Sequence, residues 1–363
     1  MNKPEILLEQ PNNRGTLIAV VEQDERTAYF YIYPAEQFSD RYGMRACWLR
    51  NLQPAPKERD YPAMEKGTAP MLEAPYCNHP LGREPLEAEH LSIMWSEEDD
   101  GAAVFYQNEP IGVIPGWSLS TEQLICYALD CTAPVDNILF PLKDADALHE
   151  RLQKTSLFWD KWSEENNNPW SAIQQQFLQS YEAQFGRVLQ YYAIDQEQWP
   201  PMALAMFGKD DIVYFLSLGV SIRPMPWVEF LYNDQAPGFR RMELGLAVSK
   251  KDFTEPEIMS MAQALSGMAD SPWRNLSWLG EGHTISSSGL PKGYDSFILS
   301  SALYSGPEIV LPAMEGDRIN LYWAVPITLQ ERESAHSKPN GGYDLLEKMI
   351  ADGITHIIQK RKT

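Results

Sequence analysis

Residues 16–22, "TLIAVVE", and 27–33, "TAYFYIY", are β-branched and aromatic runs split by the turn-prone "QDER", a pattern that predicts a hairpin. Periodicity then weakens over residues 51–90, which are rich in Pro, Glu and Gly and predict a long surface excursion. Order returns at Leu91–Trp95, Ala102–Tyr106 and Ile111–Ile114. The turns Asp99-Asp100-Gly101 and "QNEP" separate them, which predicts a three-strand meander. "SLSTEQLICYALD" (118–130) follows, and after it "LKDADALHERLQKTSLFWDKW" (142–162). The second places Leu148, Leu152, Trp159 and Trp162 on one helical face, with Asp144 and Asp146 suited to the start and Lys161 to the end.

"SEENNNP" (163–169) breaks the pattern, and a new helix, "WSAIQQQFLQSYEAQFG", stacks Ile173, Phe177, Tyr181 and Phe185 before Gly186 stops it. Beyond it, strands are predicted at 202–207, 212–220, 227–232 and 242–248. A helix is predicted at "TEPEIMSMAQALSGMAD", strands at "DSFILSSAL" and "INLYWAVPIT", and a last amphipathic helix at "GYDLLEKMIADGI". Strands and helices mix without a strict strand-helix-strand rhythm. The expected class is therefore α+β, with two domains, 1–163 and 164–363, each a mixed or mainly antiparallel sheet with packed helices.

The chain of 363 residues is 44% hydrophobic, with 11 Trp, 17 Tyr and 13 Phe, enough to fill real cores. Its net charge of −20 is spread over both halves, −13 in residues 1–160 and −7 in the rest, which argues against binding nucleic acid or an anionic membrane. Such a field attracts basic partners and speeds their encounter. No window reaches the roughly 18 apolar residues of a membrane helix, and the start lacks a secretory pattern, so a cytoplasmic protein is expected. The four cysteines, Cys47, Cys77, Cys126 and Cys131, are scattered and expected to be reduced thiols. Cys77-Asn-His79 lacks a second pair at ligand spacing, and the acidic run Glu97 to Asp100 lacks the alternation and distal glutamate of a calcium loop. No metal or cofactor is expected.

In "GVSIRPMPWVEFLYND" (219–234), Pro224 and Pro226 have no amide hydrogen for a central ladder and mark a strand end or edge. The stretch reads as a rigid connection, with a recognition edge beside an exposed Arg223 as the functional alternative. Enzyme chemistry finds little support. "GEGHTISSSG" sets His283 near Ser286, Ser287 and Ser288, but no glycine-flanked elbow or acid partner accompanies them. "GLPKG" lacks the spacing of a phosphate loop. Glu331 and Glu333 read as a solvated strand exit.

"LGVSIRPMPWVEFLYND" (218–234), "RRMELGLAVSK" (240–250), "SPWRNLSWLGEGHTI" (271–285) and "LYWAVPITLQERES" (321–334), followed by "GGYDLLEKM", resemble in that order the suppressor-of-fused domain family, over about residues 165–360. The resemblance implies a non-enzymatic α+β binding module. Animal members grip an extended peptide of a transcription factor between the domain and a second lobe. This chain ends soon after its last matching segment, so those peptide-binding residues are not carried over. Some bacterial members resemble immunity proteins encoded beside polymorphic toxins. The expected function is accordingly to bind and neutralise a basic toxin domain, a nuclease or an ADP-ribosyltransferase-like effector, by covering its active site. A sequestering scaffold is the alternative, and a hydrolase using His283 is a weaker one. The expected contacts are Arg223 and Met225 at the edge, the acidic tip Glu97, Glu98, Asp99 and Asp100, and Glu281 and His283 in the glycine-rich loop.

Overall fold

The structure, a computed structural model, describes residues 4–116, 124–163 and 168–360. The chain divides into two compact units, Met1–Asn166 and Asn167–Thr363. Among the described residues no helix is long and apolar enough to cross a membrane.

The first unit holds two sheets. β1 (Glu5–Pro11), β2 (Leu17–Gln23), β3 (Thr27–Pro34) and β4 (Arg45–Asn51) form an antiparallel sheet in chain order. In β3 the side chains alternate as a half-buried strand requires. Ala28, Phe30 and Ile32 enter the core, and Tyr29, Tyr31 and Tyr33 line the other face with centroids 5.7 and 5.5 Å apart. Residues 52–90 contain little beyond the short helix α1 (Tyr61–Met64) and isolated helical turns. The second sheet runs β5 (Leu91–Trp95), β6 (Ala102–Tyr106), β7 (Glu109–Ile114), β8 (Cys126–Ala128) and β9 (Leu139–Pro141), with β8 and β9 parallel. Part of "SLSTEQLICYALD" lies outside the described residues, and its end supplies β8. The helix α2 (Asp146–Ser163) buries Leu148 and Phe158.

The acidic run at residues 97–100 is not the solvated tip expected from its charge. Glu98, Asp99 and Asp100 are buried, and Glu97 is half-buried. The turn between β1 and β2 turns its N–H groups toward this run: Asn13 N, Asn13 Nδ2 and Arg14 N donate to the Asp99 carboxylate. Arg151 of α2 reaches Glu98 at 2.8 Å. Glu98 and Asp99 thus fasten local segments together.

The second unit is built on one mixed sheet. Its strands are β10 (Gln190–Ala193), β11 (Ala203–Lys209), β12 (Ile212–Leu218), β13 (Arg241–Ser249), β14 (Thr284–Ser286), β15 (Ser296–Ser300), β16 (Ile319–Ile327) and β17 (Ile357–Ile358). The order is β10-β11-β12-β13-β16-β15-β14, with β17 on β13. Pairing is antiparallel except where β13 meets β16 and β17. Because β13 is covered on both faces, all nine of its residues are buried. On one face lies α3 (Trp170–Phe185), whose Phe177, Tyr181 and Phe185 are buried; Phe185 meets Tyr214 of β12 at 4.4 Å between centroids.

The short helix α4 (Val228–Tyr232) occupies the segment predicted as a strand at 227–232. Trp227 and Asn233 adopt φ of +67° and +46°, so the backbone cannot continue extended across either end. The helix α5 (Glu255–Ser266) starts with a capping box between Thr254 and Glu257 and buries Ile258, Met261, Ala262 and Leu265. A single turn, α6 (Ser271–Arg274), buries Trp273. α7 (Leu329–His336) and α8 (Gly341–Ala351) close the unit. Glu331, expected at a solvated strand exit, is instead the third residue of α7 and completes a capping box with Thr328.

Candidate functional site

The connection from Gly219 to Pro226 is wholly buried, so the expected recognition edge at Arg223 and Met225 does not exist. Two charged side chains of β13 hold it. Glu243 accepts hydrogen bonds from Ser217 Oγ, Gly219 N, Ser221 N and Ser221 Oγ. Burial raises its carboxyl pKa above the ordinary value, against the opposing effect of these four donors. Arg241 donates to the carbonyls of Ser221 and Ile222 and to Asp317, which also receives a bidentate pair from Arg240. Gly219 sits at φ +92°, where a Cβ would meet the Pro201 carbonyl oxygen at 2.3 Å, so only glycine fits this close approach. The Arg223 guanidinium lies over the rings of Trp199 and Trp273, 5.3 and 5.5 Å from their centroids. Met225 is a core residue, 1% exposed.

β13, which carries Arg241 and Glu243, pairs with β16, and beside β16 lies an opening. β13 pairs with Ile319 to Trp323, but β15 pairs with β16 only from Trp323 onward, where it meets Ser300. Among the described residues no strand lies beside residues 319–322 on that side. The chain there leaves β15 and runs through residues 301–318, largely without regular structure, before returning into β16. Between that segment and the strand margin is a groove of about 570 Å³, lined among others by Tyr304, Glu308, Val310, Arg318, Leu321 and Trp323. Val310, at 74% exposure, stands at its rim.

The groove's floor is aromatic. Tyr304 stacks on Trp323 with centroids 5.1 Å apart and planes 5° off parallel. His356 packs edge-on against both, at 4.7 and 4.6 Å. Burial lowers the His356 pKa to about 4, so its ring is neutral at neutral pH. Gly245 allows the Trp323 indole to lie on β13, since a Cβ there would meet the ring at 2.9 Å. Chemically, the site offers a strand margin, aromatic and aliphatic side chains, and charges of both signs.

Neither Glu281 nor His283 is among the groove's lining residues. Glu281 accepts hydrogen bonds from Ser300 Oγ, Ser301 N and Ser301 Oγ, and so pins the point where the 301–318 segment departs from β15. His283 packs on Trp278 at 4.3 Å between centroids, its backbone carbonyl accepts from Leu299 N, and burial lowers its pKa. Ser286 bonds to Arg332 and Ser296, and Ser287 N donates to the Asp295 carbonyl. Tyr304, Trp323, Val310 and the margin of β16 were not predicted as site residues. The one sequence sign of them was the irregular stretch between "DSFILSSAL" and "INLYWAVPIT".

Among the described residues, Glu87, Glu89 and His90 form an exposed trio with possible ligating atoms within 4.8 Å of one another. His79 lies 3.5 Å from Asp130 and Cys77 is buried; they belong to no such group.

Residues 198–362 match the family described as Suppressor of fused protein (SUFU). The match begins after α3 and β10 and takes in the whole groove. No curated protein matches the chain.

Proposed function

Residues 198–362 are a suppressor of fused domain, and on that premise we propose that the chain is a protein-binding module whose groove beside β16 receives an extended segment of its partner. One observation carries this reading: among the described residues no strand pairs with residues 319–322 on the side that faces an aromatic-floored groove. A strand added to such a margin gains main-chain hydrogen bonds, while the neighbouring side chains select its sequence.

The biological form we propose is immunity. The partner is a basic toxin domain produced from the same locus, with its catalytic cleft covered in the complex. The net charge of −20 supports a basic partner by drawing it in and speeding encounter. The groove alone is smaller than a stable complex needs, about 1,200–2,000 Å² in total, so further surface must join it. The test is isothermal titration of the purified protein with the product of the neighbouring gene. Binding that falls at least tenfold in Leu321→Glu and Val310→Asp, with unchanged thermal unfolding, is the expected result. Equal affinity for both variants removes the groove, and no binding by the wild type removes the immunity reading.

A further inference from the structure

All four cysteines are reduced and buried, but they are not equivalent. Cys77 lies in the 52–90 excursion and Cys131 just past β8, and the two form an isolated antiparallel bridge. The hydrogen bonds around it run between their neighbours, from Asn78 N to the Asp130 carbonyl at 2.7 Å and from Thr132 N to the Tyr76 carbonyl at 2.9 Å. Cys77 and Cys131 therefore occupy a non-hydrogen-bonded pair position, where Cα atoms approach to about 4.5 Å and side chains leave the same face side by side. A disulfide spans Cα separations of roughly 4.4–6.8 Å, so the backbone already has the spacing it requires.

From this geometry we propose that Cys77 and Cys131 are a disulfide-forming pair that locks the 52–90 excursion onto the exit of β8. The oxidant is a small-molecule disulfide. The Cys77 thiolate attacks one of its sulfurs and releases one thiolate. The Cys131 thiolate then attacks the Cys77 sulfur of the mixed disulfide and releases the second. The protein loses two hydrogens as protons and two electrons, and the reagent leaves as two thiols.

Cys77 is the first attacker. It lies directly beneath the exposed run Asn78 to Pro80, and its sulfur receives the Asn51 Nδ2 donor at 3.9 Å and the backbone N–H of His79. Cys131 is 1% exposed, and burial pushes its thiol up to about 11 with the neighbouring thiols of Cys126 and Cys77 adding to the rise. Burial raises the Cys77 thiol as well, with the His79 N–H opposing it, so the exchange runs faster in mildly alkaline solution. Cys47 and Cys126 also lie together, but both are deeply buried between β4 and β8; the Cys47 thiol is bonded to the Tyr127 carbonyl at 3.3 Å and its pKa is pushed far up by burial.

The test is incubation of the full-length reduced protein with oxidised glutathione in mildly alkaline buffer, followed by alkylation, digestion and mass mapping. The expected product has one internal bond, Cys77 to Cys131, with Cys47 and Cys126 alkylated. Cys47→Ser forms it as the wild type does, whereas Cys77→Ser and Cys131→Ser do not. Proteolytic cleavage within residues 52–90 slows by roughly tenfold on oxidation, because the new loop closure disfavours local opening, and recovers on reduction. Four alkylated cysteines after incubation, a Cys47–Cys126 bond, or glutathione adducts without an internal bond would overturn the proposal.

Discussion

His356 is a titratable group enclosed by aromatic rings, and its protonation links groove integrity to pH. It is 3% exposed, with the rings of Trp323, Tyr304 and Tyr214 at 4.6, 4.7 and 6.5 Å between centroids. Burial lowers its pKa from 6.5 to about 4. Above 6.5 the imidazole is neutral whether the chain is folded or not, and the folded state has its full stability. Between 6.5 and about 4 the unfolded chain takes up a proton that the folded chain refuses, so stability falls as pH falls through that window. Below about 4 both forms are protonated and the loss levels off. At about 1.4 kcal/mol per pH unit the total is about 3 kcal/mol. His356→Phe keeps a ring in the cage and the backbone N–H bond to the Leu303 carbonyl, and it cannot titrate. Urea unfolding of both proteins between about pH 7 and about pH 4 cancels the other ionisable groups in the difference. Wild type should lose about 3 kcal/mol relative to the variant over that span. A difference that stays flat to within about 0.5 kcal/mol refutes the assigned burial.

Other expectations concern the buried connection. Glu243→Ala deprives two backbone N–H groups of their acceptor in the core, at about 1–3 kcal/mol each, and should lower the unfolding free energy by about 2–6 kcal/mol. A urea midpoint within error of wild type would show that this carboxylate is not needed. Because its raised pKa favours the protonated form in the folded state, Glu243 also gives stability that is fully present below the unfolded glutamate value and lost as pH rises through the folded one; Glu243→Gln should remove that slope. Gly219→Ala meets both the φ of +92° and the Pro201 carbonyl, and should destabilise by more than about 2 kcal/mol, measured by thermal unfolding.

Much of the fold was legible because its elements follow local rules. The period-two runs marked β2, β3, β5 and β6, and the four-residue spacing of Phe177, Tyr181 and Phe185 marked α3. What failed depended on distant partners. Arg223 reads as exposed because an arginine is seldom fully buried, yet Trp199 and Trp273 enclose it from 24 residues before and 50 after. Asp99 reads as solvated until the turn at Asn13 and Arg14 is brought to it. The groove has no local pattern at all. It exists because β13 pairs in parallel with a strand more than 70 residues away and β15 stops at Ser300, leaving the start of β16 bare on one side. The segment 227–232 is apolar without a clear period, and positive φ at both ends decided for helix.

Amide hydrogen exchange of the protein with and without the neighbouring gene's product tests the central claim most directly. Slowed exchange within Ile319–Tyr322 and in the 301–318 segment on complex formation is the predicted result, since an added strand would engage that margin. A stable complex in which those amides exchange unchanged, with protection elsewhere on the molecule, would contradict it.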